Sequence, residues 1–181
     1  MSGFFHGVTT SLVESGARII SLPSSSIIGL VDTFTPGLGL VQDNVPTLLT
    51  SPREAVAAFG ANSPITKAAL AIFDQVSAAI VAVGVTSSGE AAAVTSAVIG
   101  GVQADGKRTG LQALLDGKSL FNLQPRLVVA PKHSATEAVA VAMGVLAGKL
   151  GAIGIIDGPG TTDEAAIAYA TELTGKRLFF V

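Results

Sequence analysis

A repeated punctuation constrains this chain more than any other feature. A hydroxyl residue, with Glu or Gln three places later, stands before one apolar-periodic stretch after another. Ser51-Pro52-Arg53-Glu54, Thr109-Gly110-Leu111-Gln112, Ser134-Ala135-Thr136-Glu137 and Thr161-Thr162-Asp163-Glu164 all have this form. In such a capping box the hydroxyl accepts from an orphan N–H of the first helical turn, and the acid or amide reaches back to the cap. Pro52 suits the first helical position, where a missing N–H costs nothing, and Asn62-Ser63-Pro64 opens a fifth helix with Ser63 as cap. The pattern predicts helices and carries no chemistry of its own.

Between the helix starts lie apolar runs of strand length: Ser26 to Val31, Ala79 to Thr86, Arg126 to Ala130, Ala152 to Asp157 and Arg177 to Val181. Continuous apolar runs bounded by Gly or Pro read as strands buried on both faces. Pro131 and Gly158-Pro159-Gly160 end two of them sharply. From residue 126 the order is strand, helix 134–149, strand 152–157, helix 161–174, strand 177–181. That alternation predicts an α/β layered domain, its sheet largely parallel or mixed and flanked by helices. Residues 36–46 read as a loop, and there is no internal repeat. The stretch from Phe5 to Glu14 alternates loosely and is followed by Gly16 and Ser21-Leu22-Pro23-Ser24-Ser25-Ser26. It reads either as an extended arm with strand potential and a hinge or as an edge strand of the same domain. The domain division expected is an arm and linker over 1–22 and an α/β core over 23–181. Arg177-Leu178-Phe179-Phe180-Val181 stops inside an apparent strand, so the expectation is a core incomplete at its C-terminus, the N-terminal part of a longer product.

Composition excludes several functions. The 181 residues suit one domain, and 49% are hydrophobic, which rules out intrinsic disorder. Eleven basic residues against thirteen acidic ones leave a net charge of −2, with no basic run to neutralise phosphates, so no nucleic-acid partner is expected. The best candidate for a membrane span, Ala138 to Ile156, is interrupted by Lys149 and four glycines, and no insertion is expected. Met1 to His6 lacks the basic and apolar regions of a secretory signal. There is no cysteine, hence no disulfide framework and no thiolate chemistry, and synthesis in a cytoplasm is expected. Only 13% of residues are charged, against about 25% in an ordinary soluble domain. A subunit that buries surface against neighbours can carry so little charge, which tilts the reading towards an assembly component.

Three spots bear on catalysis or ligand binding. Gly101-Val102-Gln103-Ala104-Asp105-Gly106-Lys107 matches a phosphate-binding loop, but Arg108 stands where Ser or Thr must hold magnesium. A polar hairpin leading into a helix over 110–116 is the better reading. Asp157-Gly158-Pro159-Gly160-Thr161-Thr162-Asp163-Glu164 is a strand end, a turn and a helix start, where α/β enzymes bind anions or place a carboxylate. Its acidic first turn answers the helix dipole from within and repels phosphate. The two histidines, His6 and His133, have no partner at metal-ligand spacing, so no metal and no cofactor is expected. His133, a serine and Asp157 could supply a nucleophile, base and acid, but no G-x-S-x-G elbow supports them.

Taken in order, the segments resemble a known family. Phe4-Phe5-His6-Gly7-Val8-Thr9, Glu14 to Ile20, Leu49 to Ala55, Phe59-Gly60, Ala71 to Gln75, Ile99 to Val102, Thr109 to Leu115, Pro125 to Pro131 and Ala152 to Pro159 are similar to contractile tail sheath proteins of myophages and R-type pyocins. The resemblance covers nearly the whole chain. It implies a structural subunit and not an enzyme, located in the tail sheath of a virion or bacteriocin particle and made in the bacterial host cytoplasm. It implies helical polymerisation around an inner tube, and contraction that drives the tube through a bacterial envelope without nucleotide hydrolysis. The implied partners are further copies in the same and adjacent rings, the inner tail tube protein, and baseplate and tail terminator proteins. Subunits of the family are linked by strand addition to a neighbour's sheet. Here that linking arm falls on Phe4, Phe5, His6, Gly7, Val8, Thr9, Thr10, Ser11 and Leu12. Tube contact in the family comes mainly from a C-terminal part. The competing expectation is an α/β enzyme or ligand-binding domain using the Asp157–Glu164 turn.

Overall fold

A computed structural model describes residues 27–181 apart from Ser88, Thr174 and Lys176. The arm and linker expected over 1–22, with the linking residues Phe4 to Leu12, lie outside the described residues. The described residues form the expected layered domain.

Strand β1 (Ile27–Phe34) is followed by β2 (Pro46–Leu49), α1 (Pro52–Phe59), α2 (Pro64–Gln75) and β3 (Ala79–Thr86). Then come α3 (Ala91–Ile99), a 3-10 helix (Gly110–Asp116) and α4 (Gly117–Phe121). The remainder alternates as β4 (Leu127–Val129), α5 (Glu137–Leu150), β5 (Ile153–Ile156), α6 (Asp163–Glu172) and β6 (Leu178–Phe180). The six strands form one mixed sheet in the order β2-β3-β1-β4-β5-β6. Every neighbouring pair is parallel except β2 and β3. The short β2 falls at the end of the region read as a loop. Its proline stands at the first strand position on a sheet edge, where no ladder N–H is demanded of it.

Strand order decides which face each helix covers. From β4 onward the chain steps outwards one strand at a time, and right-handed crossovers place α5 and α6 on one face. The step from β1 to β3 runs the opposite way and puts α1 and α2 on the other. Side chains alternate accordingly. Ile27, Val31, Val81, Val83, Val85 and Val128 pack on the first face with Leu111 and Leu114 of the 3-10 helix and Met143 and Leu146 of α5. Ile28, Leu30, Phe34, Ile80 and Ala82 pack on the second with Phe59 of α1 and Ile65 and Ala69 of α2. Phe34 and Phe59 meet edge to face with ring centroids 5.6 Å apart. Gly84 makes room for them, since a Cβ there would lie 2.7 Å from Phe59 Cε1 and 2.8 Å from Phe34 Cδ1.

Five helix starts were read from the sequence, while α3 and α4 were not, and the caps work differently in detail. Ser51 caps α1 as expected, yet Glu54 reaches past it to the Thr50 N–H and hydroxyl, at 2.7 and 2.9 Å. Thr162, not Thr161, caps α6 and accepts from the Ala165 N–H at 3.2 Å. Ser63 precedes α2 but donates its hydroxyl to the Phe59 carbonyl. Thr109 precedes a 3-10 helix and spends its hydroxyl on the Gly101 N–H, so no capping box forms there. Ser134 is not a cap at all: α5 begins at Glu137 after Thr136, and Ser134 is buried. Only at Ser134 is the competing partner distant in sequence, Asp157 at twenty-three residues; elsewhere it lies within eight residues.

Candidate functional site

Among the described residues, the second face of the sheet is only half covered. Parallel pairing aligns residues in rows across the strands. One row on this face runs Ile80, Ile28, Leu127, Ile153, and the next runs Ala82, Leu30, Val129, Ile155, Phe179. Both rows are buried where α1 and α2 lie over β3 and β1, and both emerge into the open beyond β4. Ile153 is 46% exposed and Phe179 62%. Burial on both faces was expected of these strands. It fails for β5 and β6 because both crossover helices, α5 and α6, are committed to the opposite face.

Where α2 stops covering the sheet it forms the wall of an apolar groove of about 470 Å³. Ala68, Ile72 and Val76 stand on the wall, Leu127, Val129 and Ile155 form the floor, and Gln75 is the single polar side chain in the lining. Water held against such a surface gains nothing from hydrogen bonding, and covering the surface releases about 25 cal/mol per Å² of apolar area. The bare strip ends on β6, whose outer side pairs with no described strand. The apolar runs announced these side chains, but only strand order could reveal that they lie uncovered.

The carboxyl ends of the central strands gather the polar residues considered for chemistry. Asp32, on β1, is buried; its Oδ1 accepts from the Thr33 N–H at 2.6 Å and lies 3.1 Å from His133 Nε2. Ser134 accepts from the Asp157 N–H at 3.0 Å and donates to Asp157 Oδ2 at 3.3 Å. Asp157 Oδ2 also accepts from the Lys132 N–H at 3.2 Å. Tyr169 of α6 donates its hydroxyl to the Ser134 carbonyl at 2.6 Å. Burial, with the charges of Glu137 and Asp157 adding to it, raises the Tyr169 phenol above its usual value and keeps it a donor. These bonds pair His133 with Asp32 and Ser134 with Asp157. No nucleophile–base–acid relay runs through them, and the Asp157 carboxylate is occupied in tying the β4 and β5 ends together.

The phosphate-loop match is a hairpin, the better of its two sequence readings. Val102 and Arg108 form an antiparallel bridge, Gln103 donates to the Lys107 carbonyl at 2.8 Å, and Gly106 turns the chain at φ +84°. A helix, α3, precedes the loop in place of the strand that a phosphate cradle requires before it. Arg108 pairs with Asp116, and Lys107 with Asp105. Among the described residues no three His, Cys, Asp or Glu side chains converge as metal ligands. No described helix is long and apolar enough to cross a membrane; the stretch Ala138 to Ile156 divides into α5 and β5.

Comparison with known proteins gives a consistent result. The chain is 61% identical over 179 residues, 98% of its length, to a prophage-encoded protein of Pseudomonas aeruginosa strain UCBPP-PA14 named as a major tail sheath protein, and covers 46% of that protein. It is 29% identical along its whole length to the tail sheath protein of Escherichia phage P2, of which it covers 48%. It is 32% identical over 146 residues, 76% of the chain, to the major tail sheath protein of Serratia phage KSP20, and covers 36% of that relative. The chain thus spans about half the length, or less, of the curated relatives it matches. No family model matches it.

Proposed function

The chain belongs to the tail sheath family, and from that premise we propose that it is the part of a contractile tail sheath subunit that joins one copy to the next. The observation that carries this reading is the half-bare sheet. An apolar floor running out to a strand whose outer side pairs with no described strand is what an assembling subunit needs and what a freely soluble monomer avoids.

In this reading the subunits polymerise helically around an inner tube and contract to drive it through a bacterial envelope, the work coming from repacking between copies. Residues Phe4 to Leu12 of one copy add a strand to a neighbour's sheet, with backbone hydrogen bonds giving affinity and alternate side chains giving register. The role is structural and not catalytic, and the polar cluster around Asp157 holds the strand ends in place. The partners are further copies of the chain, the tube protein, and the baseplate and terminator proteins at the two ends of the tail. The setting is the tail of a virion or bacteriocin particle assembled in the bacterial host.

The test is a chimera in which this chain replaces the matched part of the Pseudomonas aeruginosa relative, viewed by negative-stain electron microscopy. Hollow tubes are expected, and removing Met1 to Ser15 is expected to abolish them while far-UV circular dichroism stays unchanged. Discrete particles from the intact chimera, under conditions where the relative itself forms tubes, end the reading. Tubes from the shortened one would remove the arm from it.

A further inference from the structure

We propose that α6 is a strap that undocks from the domain as a unit while the sheet stays folded, with Tyr169 as its latch. The motion belongs to a single copy of the chain and does not depend on the assembly reading.

The two crossover helices on the first face are held very differently. Helix α5 buries Val139, Ala140, Met143, Leu146, Ala147 and Leu150. Helix α6, Asp163-Glu-Ala-Ala-Ile-Ala-Tyr-Ala-Thr-Glu172, buries Tyr169 alone among its ten residues. Ile167, two residues before Tyr169, is 67% exposed. An apolar hollow of about 260 Å³ lies beyond the end of α6, walled by Val141 and Val145 of α5 and by Leu173 and Leu178. Packing against α5 is therefore incomplete there, among the described residues.

Tyr169 makes the attachment. Its ring packs against Phe180 with centroids 5.8 Å apart, and its hydroxyl donates to the Ser134 carbonyl at 2.6 Å. Ser134 is buried and is itself bonded to Asp157, so the latch closes on a fixed point. A ten-residue helix is marginal in water without tertiary packing. Releasing this one side chain is enough to let α6 unravel.

The segments on either side of α6 are anchored. Before it, the Asp157 N–H donates to Ser134 Oγ at 3.0 Å and the Gly158 N–H to the Val181 carbonyl at 3.3 Å. A Cβ at Gly158 would lie 2.9 Å from Phe180 Cζ, so the chain is closely packed at that point. After α6, a Cβ at Gly175 would lie 2.8 Å from Leu178 Cδ1. Leu178 also packs closely on Gly154 of β5 and Gly144 of α5, where a Cβ would lie 2.9 and 3.3 Å from it. Strand β6 is paired with β5 throughout. Motion is thus confined to the stretch between two fixed points. Segments with few buried apolar contacts open at lower free energy than the core. Opening uncovers the Ser134 carbonyl and one side of Phe180 and leaves the β5–β6 pairing intact, so the surface at this end of the domain changes while its sheet does not.

Native-state hydrogen exchange on the intact 181-residue chain tests the strap. The amides of α6 are expected to share one opening and to exchange at least about tenfold faster than those of β1 and β3. Leu30→Ala weakens the sheet, so it should speed β1 and β3 by about thirtyfold or more while α6 stays within about twofold of the parent. Gly84→Ala serves the same purpose if Leu30→Ala does not fold. Tyr169→Phe keeps the ring and removes the donor, and it should speed α6 by about tenfold. Amides of α6 that accelerate in step with β1 and β3 in the core variant overturn the strap, because they then open only with the whole domain. Rates graded along α6 with no common value overturn it too, as do β6 amides that open together with α6. A Tyr169→Phe chain whose α6 exchanges at the parental rate overturns the latch.

Discussion

The two faces of this sheet are made of the same kinds of residue and meet different fates. On the first face Val81, Val83 and Val128 are wholly buried under α3, the 3-10 helix and α5, whose Met143 and Leu146 pack against them. On the second, Leu30 and Ile80 are equally buried under α1 and α2, yet Ile153 and Phe179 in the continuing rows lie open. Hydrophobicity does not distinguish Ile80 from Ile153. Their positions relative to a crossover do. A side chain contributes to folding only when the topology supplies a cover for it, and an apolar residue left uncovered remains free to contribute to assembly instead.

Substitutions in the covered and open parts of the sheet measure that difference directly. Leu30→Ala, in the covered part of the second face, should destabilise the domain by about 2–5 kcal/mol, read as a lower urea midpoint. An effect below about 1 kcal/mol would mean that α1 and α2 do not seal that half of the sheet. Gly84→Ala should cost about 1–3 kcal/mol, because the new methyl lands on the rings of Phe34 and Phe59, which have no room to move. Ser134→Ala, at the strand ends, strips the Asp157 N–H of its acceptor and should cost about 1–2 kcal/mol. Full stability together with a new pH dependence would instead point to Asp157 being free for other work.

The smallest effects belong to the open half and the periphery. Ile153→Ala should change monomer stability by no more than about 0.5 kcal/mol, as at a surface position. A cost like that of Leu30→Ala would show the strip covered within the monomer and erase the contrast between the two halves. Glu54 supplies a pH handle on α1. Its carboxyl is held below the usual range by hydrogen bonds from the Thr50 N–H and hydroxyl, opposed by a small desolvation effect. A depressed acid stabilises the fold above its unfolded pKa, and that contribution is lost as pH falls through the folded value. The melting temperature should therefore decline slightly more below pH 4 for the parent than for Glu54→Gln, which keeps a side-chain acceptor but cannot titrate.

Particular elements show what could be read in advance. Strand β3 matches its apolar run residue for residue, and α1 begins at Pro52 after Ser51 as the capping rule demands. Pro46–Leu49 was not legible, because a four-residue edge strand opening with proline has too few side chains to show a period. Ser134 misled for a different reason. Its spacing to Glu137 is that of a capping box, but Asp157, twenty-three residues away in sequence, offers both a backbone donor and a carboxylate acceptor. The candidate site was half legible. Its residues appear in the sequence as apolar runs, and their exposure does not.

Sequence alone determined most of the elements, the parallel alternation from residue 126 onwards, the failed phosphate-loop match and the likeness to tail sheath proteins. All of these are local: caps, periods and short motifs act within a few residues of one another. Tertiary structure alone decided which face each helix covers, and so which part of each apolar row is core and which is open surface. The reason is geometric. A side chain's burial depends on the handedness and direction of chain crossings that lie tens of residues away, and no neighbouring residue carries that information.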